Sequence, residues 1–116
     1  VRKHGIHVFT VDDVREKNLS EFLAKIPKFK GPTYITFDID CLDPAYAAGT
    51  GTPVWGGLSS IQASIILRDL AGINMVGGDV VEVAPQYDVS GATAVAGAHV
   101  AHELICIWGW NKKRRP

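Results

Sequence analysis

The stretch Thr33-Tyr-Ile-Thr-Phe-Asp-Ile-Asp-Cys-Leu-Asp-Pro-Ala45 begins as a run of β-branched and aromatic residues and then turns acidic, with Asp38, Asp40 and Asp43 close together. Its first half, Thr33 to Asp38, has the composition of a buried strand. Its second half sits where such a strand would end. From Tyr46 the chain continues Ala-Ala-Gly-Thr-Gly-Thr-Pro-Val-Trp-Gly-Gly-Leu-Ser-Ser60, so the charge collects where the backbone leaves regular structure. Functional groups concentrate at such places, because loops can present polar side chains on a rigid scaffold.

Working outward, Gly5-Ile-His-Val-Phe-Thr10 has strand character, and Asn18 to Ile26 carries Leu19, Phe22, Leu23 and Ile26 at helical spacing before Pro27 ends it. Downstream of the acidic stretch, Ser59 or Ser60 caps a helix through Leu70, with an apolar face of Ile61, Ile65 or Ile66, and Leu70, and with Gly72 as its stop. Ile73 to Glu82 reads as a third strand, and Thr93 to about Trp108 as an alanine-rich helix. Strand and helix alternating in this way predict an α/β fold, a parallel sheet flanked by helices. All three strands should then be parallel, with Asp40 and Glu82 at carboxyl ends on one side of the sheet. Ligands of open α/β sheets bind at those ends.

Strand alternation would put Asp38 and Asp40 on one face, with Ile39 pointing the other way. Two carboxylates so close repel, and burying them without compensation costs several kcal/mol. A divalent cation is an economical counter-charge, since Asp carboxylates are hard oxygen ligands. Aspartate at a strand end also serves as a turn former or helix cap, and spacing alone leaves both readings open. Asp43 lies off the alternation and is expected to organise the loop by accepting backbone N–H bonds.

The composition narrows the classes. In 116 residues, 47% are hydrophobic and 12 acidic side chains balance 12 basic ones, as in one globular α/β domain over residues 1–116. The basic run Lys112 to Arg115 is expected to be a solvated tail and not a nucleic-acid footprint. No apolar run approaches the ~20 residues of a spanning helix, and no signal peptide opens the chain, so a cytoplasmic location away from membranes is the default. Cys41 and Cys106 are too few for a disulfide framework and should stay reduced. His99 and His102 share a helix face but belong to no zinc-protease motif, and are expected to be packing or interface residues. His4 and His7 receive no role. Gly49-Thr-Gly-Thr-Pro53 lacks the P-loop pattern, and no G-x-S-x-G nucleophile occurs. The chain starts at Val1 with Met75 its single methionine, as expected of a piece of something longer.

Phe37 to Ser60, with Val76-Gly-Gly-Asp-Val-Val-Glu-Val-Ala-Pro-Gln-Tyr-Asp88 after an intervening helix, closely resembles the C-terminal part of the ureohydrolases, the arginase and agmatinase family. The agmatinase-type members are the most similar. The resemblance covers essentially the whole chain and implies an arginase-like α/β/α sandwich. It further implies that Asp38 and Asp40 are ligands of a dinuclear manganese (Mn2+) centre, that Glu82 faces the substrate guanidinium, and that Thr52 lies on the substrate side of the same cleft. Two metals sharing a hydroxide would generate the nucleophile that attacks the guanidinium carbon, releasing urea and an amine. The substrate would be a small guanidino compound such as agmatine, and the assembly a homo-oligomer, a trimer or hexamer.

The resemblance also marks what these residues lack. The family's other metal ligands lie in a Gly-Gly-Asp-His stretch and an Asp-Ala-His-x-Asp stretch, and neither occurs here. The proposed acid/base histidine of the family lies upstream as well, so no catalytic residue is assigned to this segment. The 116 residues alone are expected to be inactive. A non-catalytic fragment that binds a full-length relative, and an unrelated divalent-metal-binding α/β domain, are the competing readings.

Overall fold

The computed structural model of the protein describes residues 4–15, 18–27 and 29–113. Two short helices come first, α1 (Val11–Arg15) and α2 (Leu19–Leu23), then β1 (Thr33–Asp38), α3 (Ser60–Asp69), β2 (Met75–Val81) and the long α4 (Ala92–Lys113). β1 and β2 pair in parallel, with Tyr34 beside Gly77, Thr36 beside Asp79 and Asp38 beside Val81. The α/β expectation holds: a parallel sheet flanked by helices, its two strands joined through α3.

The expected first strand at Gly5 to Thr10 is not formed. A strand is stable only when a neighbour takes up its backbone groups, and no described strand pairs with this segment. Ile6 and Val8 are exposed. Phe9 packs edge-on against Phe22 of α2, with ring centroids 5.6 Å apart. α2 is also shorter than the predicted Asn18 to Ile26. Asn18 is its cap, accepting the Glu21 amide at 3.0 Å, and the chain leaves the helix after Leu23.

Ser59, and not Ser60, caps α3. Its hydroxyl accepts the Gln62 amide at 3.1 Å while the Gln62 side chain accepts the Ser59 amide at 2.9 Å, a reciprocal capping box. Gly72 follows the helix at φ 102°, the left-handed conformation glycine tolerates without a Cβ clash. The buried face of α3 differs from the predicted one. Ala63 and Leu67 point inward, while Ile61 and Ile65 are exposed. The Ile61–Leu70 run has apolar residues on every side, so periodicity could not select the face; the small Ala63 can sit closely over Ile39, Leu42 and Ala47.

The core lies between one face of the sheet and the helices. Leu67, Ile73, Met75, Val100, Leu104 and Ile107 form one buried cluster. Ile39, Leu42, Ala47 and Ala63 form another, and Phe37 and Val80 touch both. Gly78 and Gly97 let α4 lie close to the strands. A Cβ on Gly78 would stand 3.4 Å from Leu104 Cδ1 of α4, and one on Gly97 would stand 3.1 Å from Val83 Cγ2, just past β2. The opposite sheet face, carrying Tyr34, Thr36, Asp38 and Val81, is exposed. There the Tyr34 hydroxyl donates to Asp79 Oδ2 at 2.9 Å, and hydrogen bonding from Thr36 first and from Tyr34 second holds the Asp79 carboxyl below its usual range.

α4 runs beyond the predicted Trp108 to Lys113. Two contacts hold its last turns: Asn111 Oδ1 accepts the Gly72 amide at 2.8 Å, and Lys112 Nζ lies 3.9 Å over the Trp108 ring. Lys112 and Lys113 are therefore helical rather than tail, and Arg114 and Arg115 lie outside the described residues. No helix among the described residues is long and apolar enough to cross a membrane.

Candidate active site

The chain leaves β1 through a single 3-10 turn, Ile39–Cys41. This corrects the pleated arrangement expected of Asp38 and Asp40. Ile39 is fully buried, and its burial pulls the backbone into the turn. The Asp40 amide then donates to Asp38 Oδ1 at 3.2 Å. The Asp38 carboxylate therefore caps the turn that carries Asp40, in place of strand alternation. Asp38 is exposed, Asp40 partly so.

Asp43 is the loop organiser the sequence suggested. Its Oδ1 accepts the Ala45 amide at 2.9 Å and its Oδ2 the Gly56 amide at 2.8 Å. Nearby, Leu58 N donates to Cys41 O at 2.8 Å and Asp43 N to Leu58 O at 2.9 Å. Gly57 permits this approach, since a Cβ there would fall 2.5 Å from Asp43 N. The other end of the loop is tied to the end of β2: Ala84 N donates to Gly49 O at 2.8 Å, and Gly49 N donates to the buried Thr93 hydroxyl at 2.8 Å. The 49–58 loop thus spans the carboxyl ends of both strands. At its tip Thr52 Oγ1 donates to Asp40 Oδ2 at 2.8 Å.

Glu82 follows β2 directly, so Asp40 and Glu82 stand at the same end of the sheet, as predicted. Glu82 has φ 65°, and among the described residues it is the one non-glycine with positive φ. A residue with a long side chain held there is strained, at a cost of order 1–3 kcal/mol, and such strain clusters at functional sites. Its Oε2 lies 3.9 Å from the position a Cβ on Gly51 would take. The side chain therefore reaches toward the same loop whose next residue holds Asp40.

The local field is negative. The Cys41 thiol is pushed up to about 11, first by burial and then by the charges of Asp38 and Asp40. Carboxylate donors in such a field suit a hard divalent cation such as Mn2+. They do not complete a site: among the described residues no group of three or more His, Cys, Asp or Glu side chains could hold a metal ion. His99 and His102 do not contribute and are exposed rather than packed inside. His99 Nε2 lies 3.6 Å from Glu103 Oε1, and His102 lies beside Cys106. Both cysteines are free thiols.

The sequence reading passed over Asp88. It accepts the Thr93 and Ala94 amides at 3.2 and 2.8 Å, caps the start of α4, and is held below the usual carboxylate range chiefly by the Ala94 bond. A sequence N-cap stands directly before its helix, whereas Asp88 lies four residues ahead of Ala92, so no local pattern marks it.

Residues 1–106 match the model of the arginase family. The chain belongs to that family. An agmatinase of Photorhabdus laumondii is 50% identical over 115 residues, which cover 97% of this chain and 37% of the relative. A guanidinopropionase of Pseudomonas aeruginosa is 47% identical over 108 residues, covering 91% of this chain and 34% of its own. The crystal structure of a hypothetical agmatinase from Burkholderia thailandensis matches with a TM-score of 0.87 at 54% identity, over 94% of this chain and 35% of that one. The arginase-like fold is thereby established for this segment, which spans about a third of the length of these relatives.

Proposed function

We propose that this segment belongs to a manganese-dependent ureohydrolase that hydrolyses a small guanidino compound, agmatine first among candidates, to urea and an amine. The observation that carries the reading is the placement of Asp38, Asp40 and the strained Glu82 at one end of two paired parallel strands, bridged by the 49–58 loop. The agmatinase and guanidinopropionase relatives support a guanidino substrate.

In this reading Asp38 and Asp40 are two of the ligands of a dinuclear centre, and the remainder of the parent chain supplies the others. Manganese bound there supplies Lewis acidity that makes water a competent nucleophile near neutral pH. Glu82 holds the planar guanidinium by charge-assisted hydrogen bonds and fixes its carbon for attack. Thr52 stands on the same rim. The parent is a homo-oligomer, a trimer or hexamer.

The test is urea release by the full-length parent, loaded with manganese, from agmatine, guanidinopropionate and arginine in parallel, beside the isolated 116 residues. Turnover of one of the three by the parent and none by the segment is expected. A metal-loaded parent inert to all three would end the proposal. The competing reading, a non-catalytic fragment that binds a full-length relative through its exposed sheet edge, draws on the unpaired edge of β2 in the described two-stranded sheet and on exposed Ile105 and Trp108 beside it. Adding the segment to a full-length enzyme and finding a stable complex with altered activity would favour it.

A further inference from the structure

We infer that Thr52 is a positioning residue for Asp40: it fixes the carboxylate as a metal ligand, and its hydroxyl is committed to that task before any substrate arrives. The inference rests on the ureohydrolase reading above and gives Thr52 a task that reading leaves out.

The geometry is direct. A hydroxyl has one proton to donate, and Thr52 Oγ1 gives it to Asp40 Oδ2 at 2.8 Å. Asp40 is otherwise poorly constrained. Its backbone lies in a one-turn 3-10 segment, and a carboxylate on a short side chain is free to rotate about its terminal torsion. Holding Oδ2 sets the plane of the carboxylate and leaves Oδ1 available to a cation. Toward a guanidinium, whose nitrogens only donate, the same hydroxyl could offer nothing but a lone pair. Thr52 is exposed, so its hydroxyl is not placed to satisfy a buried group.

The loop is built to deliver that hydroxyl. Leu58 ties its far end to Cys41 and Asp43, Asp43 takes the Gly56 amide, and Gly49 is bound to Ala84 and Thr93. Thr52 therefore stands on a segment anchored at both ends, and β-branching limits its χ1 freedom. Partners that hydrogen-bond a metal ligand orient it, and losing one typically weakens metal binding about 10- to 100-fold.

The experiment uses the full-length parent with Thr52→Val, which keeps the shape and removes the hydroxyl, and Thr52→Ser, which keeps the hydroxyl. Bound manganese is measured by elemental analysis after equilibration across free manganese concentrations, and KM for agmatine is measured at saturating metal. The expected result is manganese affinity about 10- to 100-fold lower in Thr52→Val, near-normal affinity in Thr52→Ser, and unchanged KM in both. Normal metal affinity with raised KM in Thr52→Val would overturn the inference and make Thr52 a substrate contact. Equal metal loss in Thr52→Val and Thr52→Ser with a lowered Tm would overturn it in favour of a structural role. Asp38→Asn serves as the control: if it binds manganese normally, the metal-site reading of this segment is what has failed.

Discussion

Gly49 and Asp88 are in such close contact that a Cβ added at position 49 would come within 2.9 Å of the Asp88 Cα and closer still to its Cβ. Asp88 caps α4, and Gly49 opens the loop that carries Thr52. The start of the long helix and the rim of the candidate site therefore share one contact.

Gly49→Ala should destabilise the fold by about 1–3 kcal/mol, the usual range for overpacking a tight contact, because the methyl meets backbone as well as side chain. Gly31→Ala is the control, since a Cβ there meets nothing within 4 Å. Thermal unfolding of the two variants should separate them clearly. Equal melting temperatures would mean that the loop yields without cost.

The carboxylates at the strand ends should separate into two classes in the full-length parent. Asp38→Asn or Asp40→Asn keeps the size and removes the charge that balances a cation, so manganese content and kcat should fall together, with partial rescue by excess manganese. Glu82→Gln should retain metal and lose about 1.5–3 kcal/mol of transition-state stabilisation, the usual worth of a hydrogen bond to a charged group, without rescue. Metal content per subunit beside urea production decides it. A metal-free Glu82→Gln protein, or a fully occupied and active Asp40→Asn protein, would contradict the assignment.

Acid should weaken the contact between α3 and α4. Arg68 of α3 donates from Nε to Glu103 Oε1 at 3.0 Å, and that bond is the main reason the nearly buried Glu103 carboxyl titrates below its ordinary value of 4.5. A lowered native pKa means the stabilisation is complete above the ordinary value and is lost as pH falls through the lowered one. Glu103→Gln should thus reduce Tm most at neutral pH, and the two Tm curves should converge as pH falls through the lowered carboxyl pKa. A constant offset down to pH 2 would show that the charge is not what Glu103 contributes.

The two thiols should differ in reactivity. Cys106 is exposed, whereas Cys41 is partly buried, and burial first and then the Asp38 and Asp40 charges push its thiol up to about 11. Alkylation follows the thiolate fraction and access, so a time course at pH 8 followed by mass spectrometry should show Cys106 modified well ahead of Cys41. Comparable rates would remove the buried, negatively charged setting described for Cys41.

The sequence by itself determined the parts of this protein governed by local chemistry. β-branched and aromatic residues at Thr33 to Asp38 specified a strand, a serine at 59 or 60 and Gly72 bounded a helix, and parallel α/β order put Asp40 and Glu82 at one end of a sheet. Asp43 could be read as a loop organiser because it falls off the Asp38/Asp40 alternation and stands before proline, where aspartate starts turns. Tertiary structure decided what depends on partners distant in the chain. Gly5 to Thr10 has strand composition but no described neighbour to pair with, and pairing is what makes a strand. The inward face of α3 was settled by where Ala63 could approach Ile39 and Leu42, because apolar residues on all sides give periodicity nothing to choose. Asp38 caps a turn that carries Asp40 and buries Ile39, where alternation alone would have kept the strand running. The strain at Glu82 and the bond from Thr52 to Asp40 arise only when the 49–58 loop is fastened to both strand ends. Composition records the propensity of each residue, and only the folded chain fixes which distant groups it must satisfy.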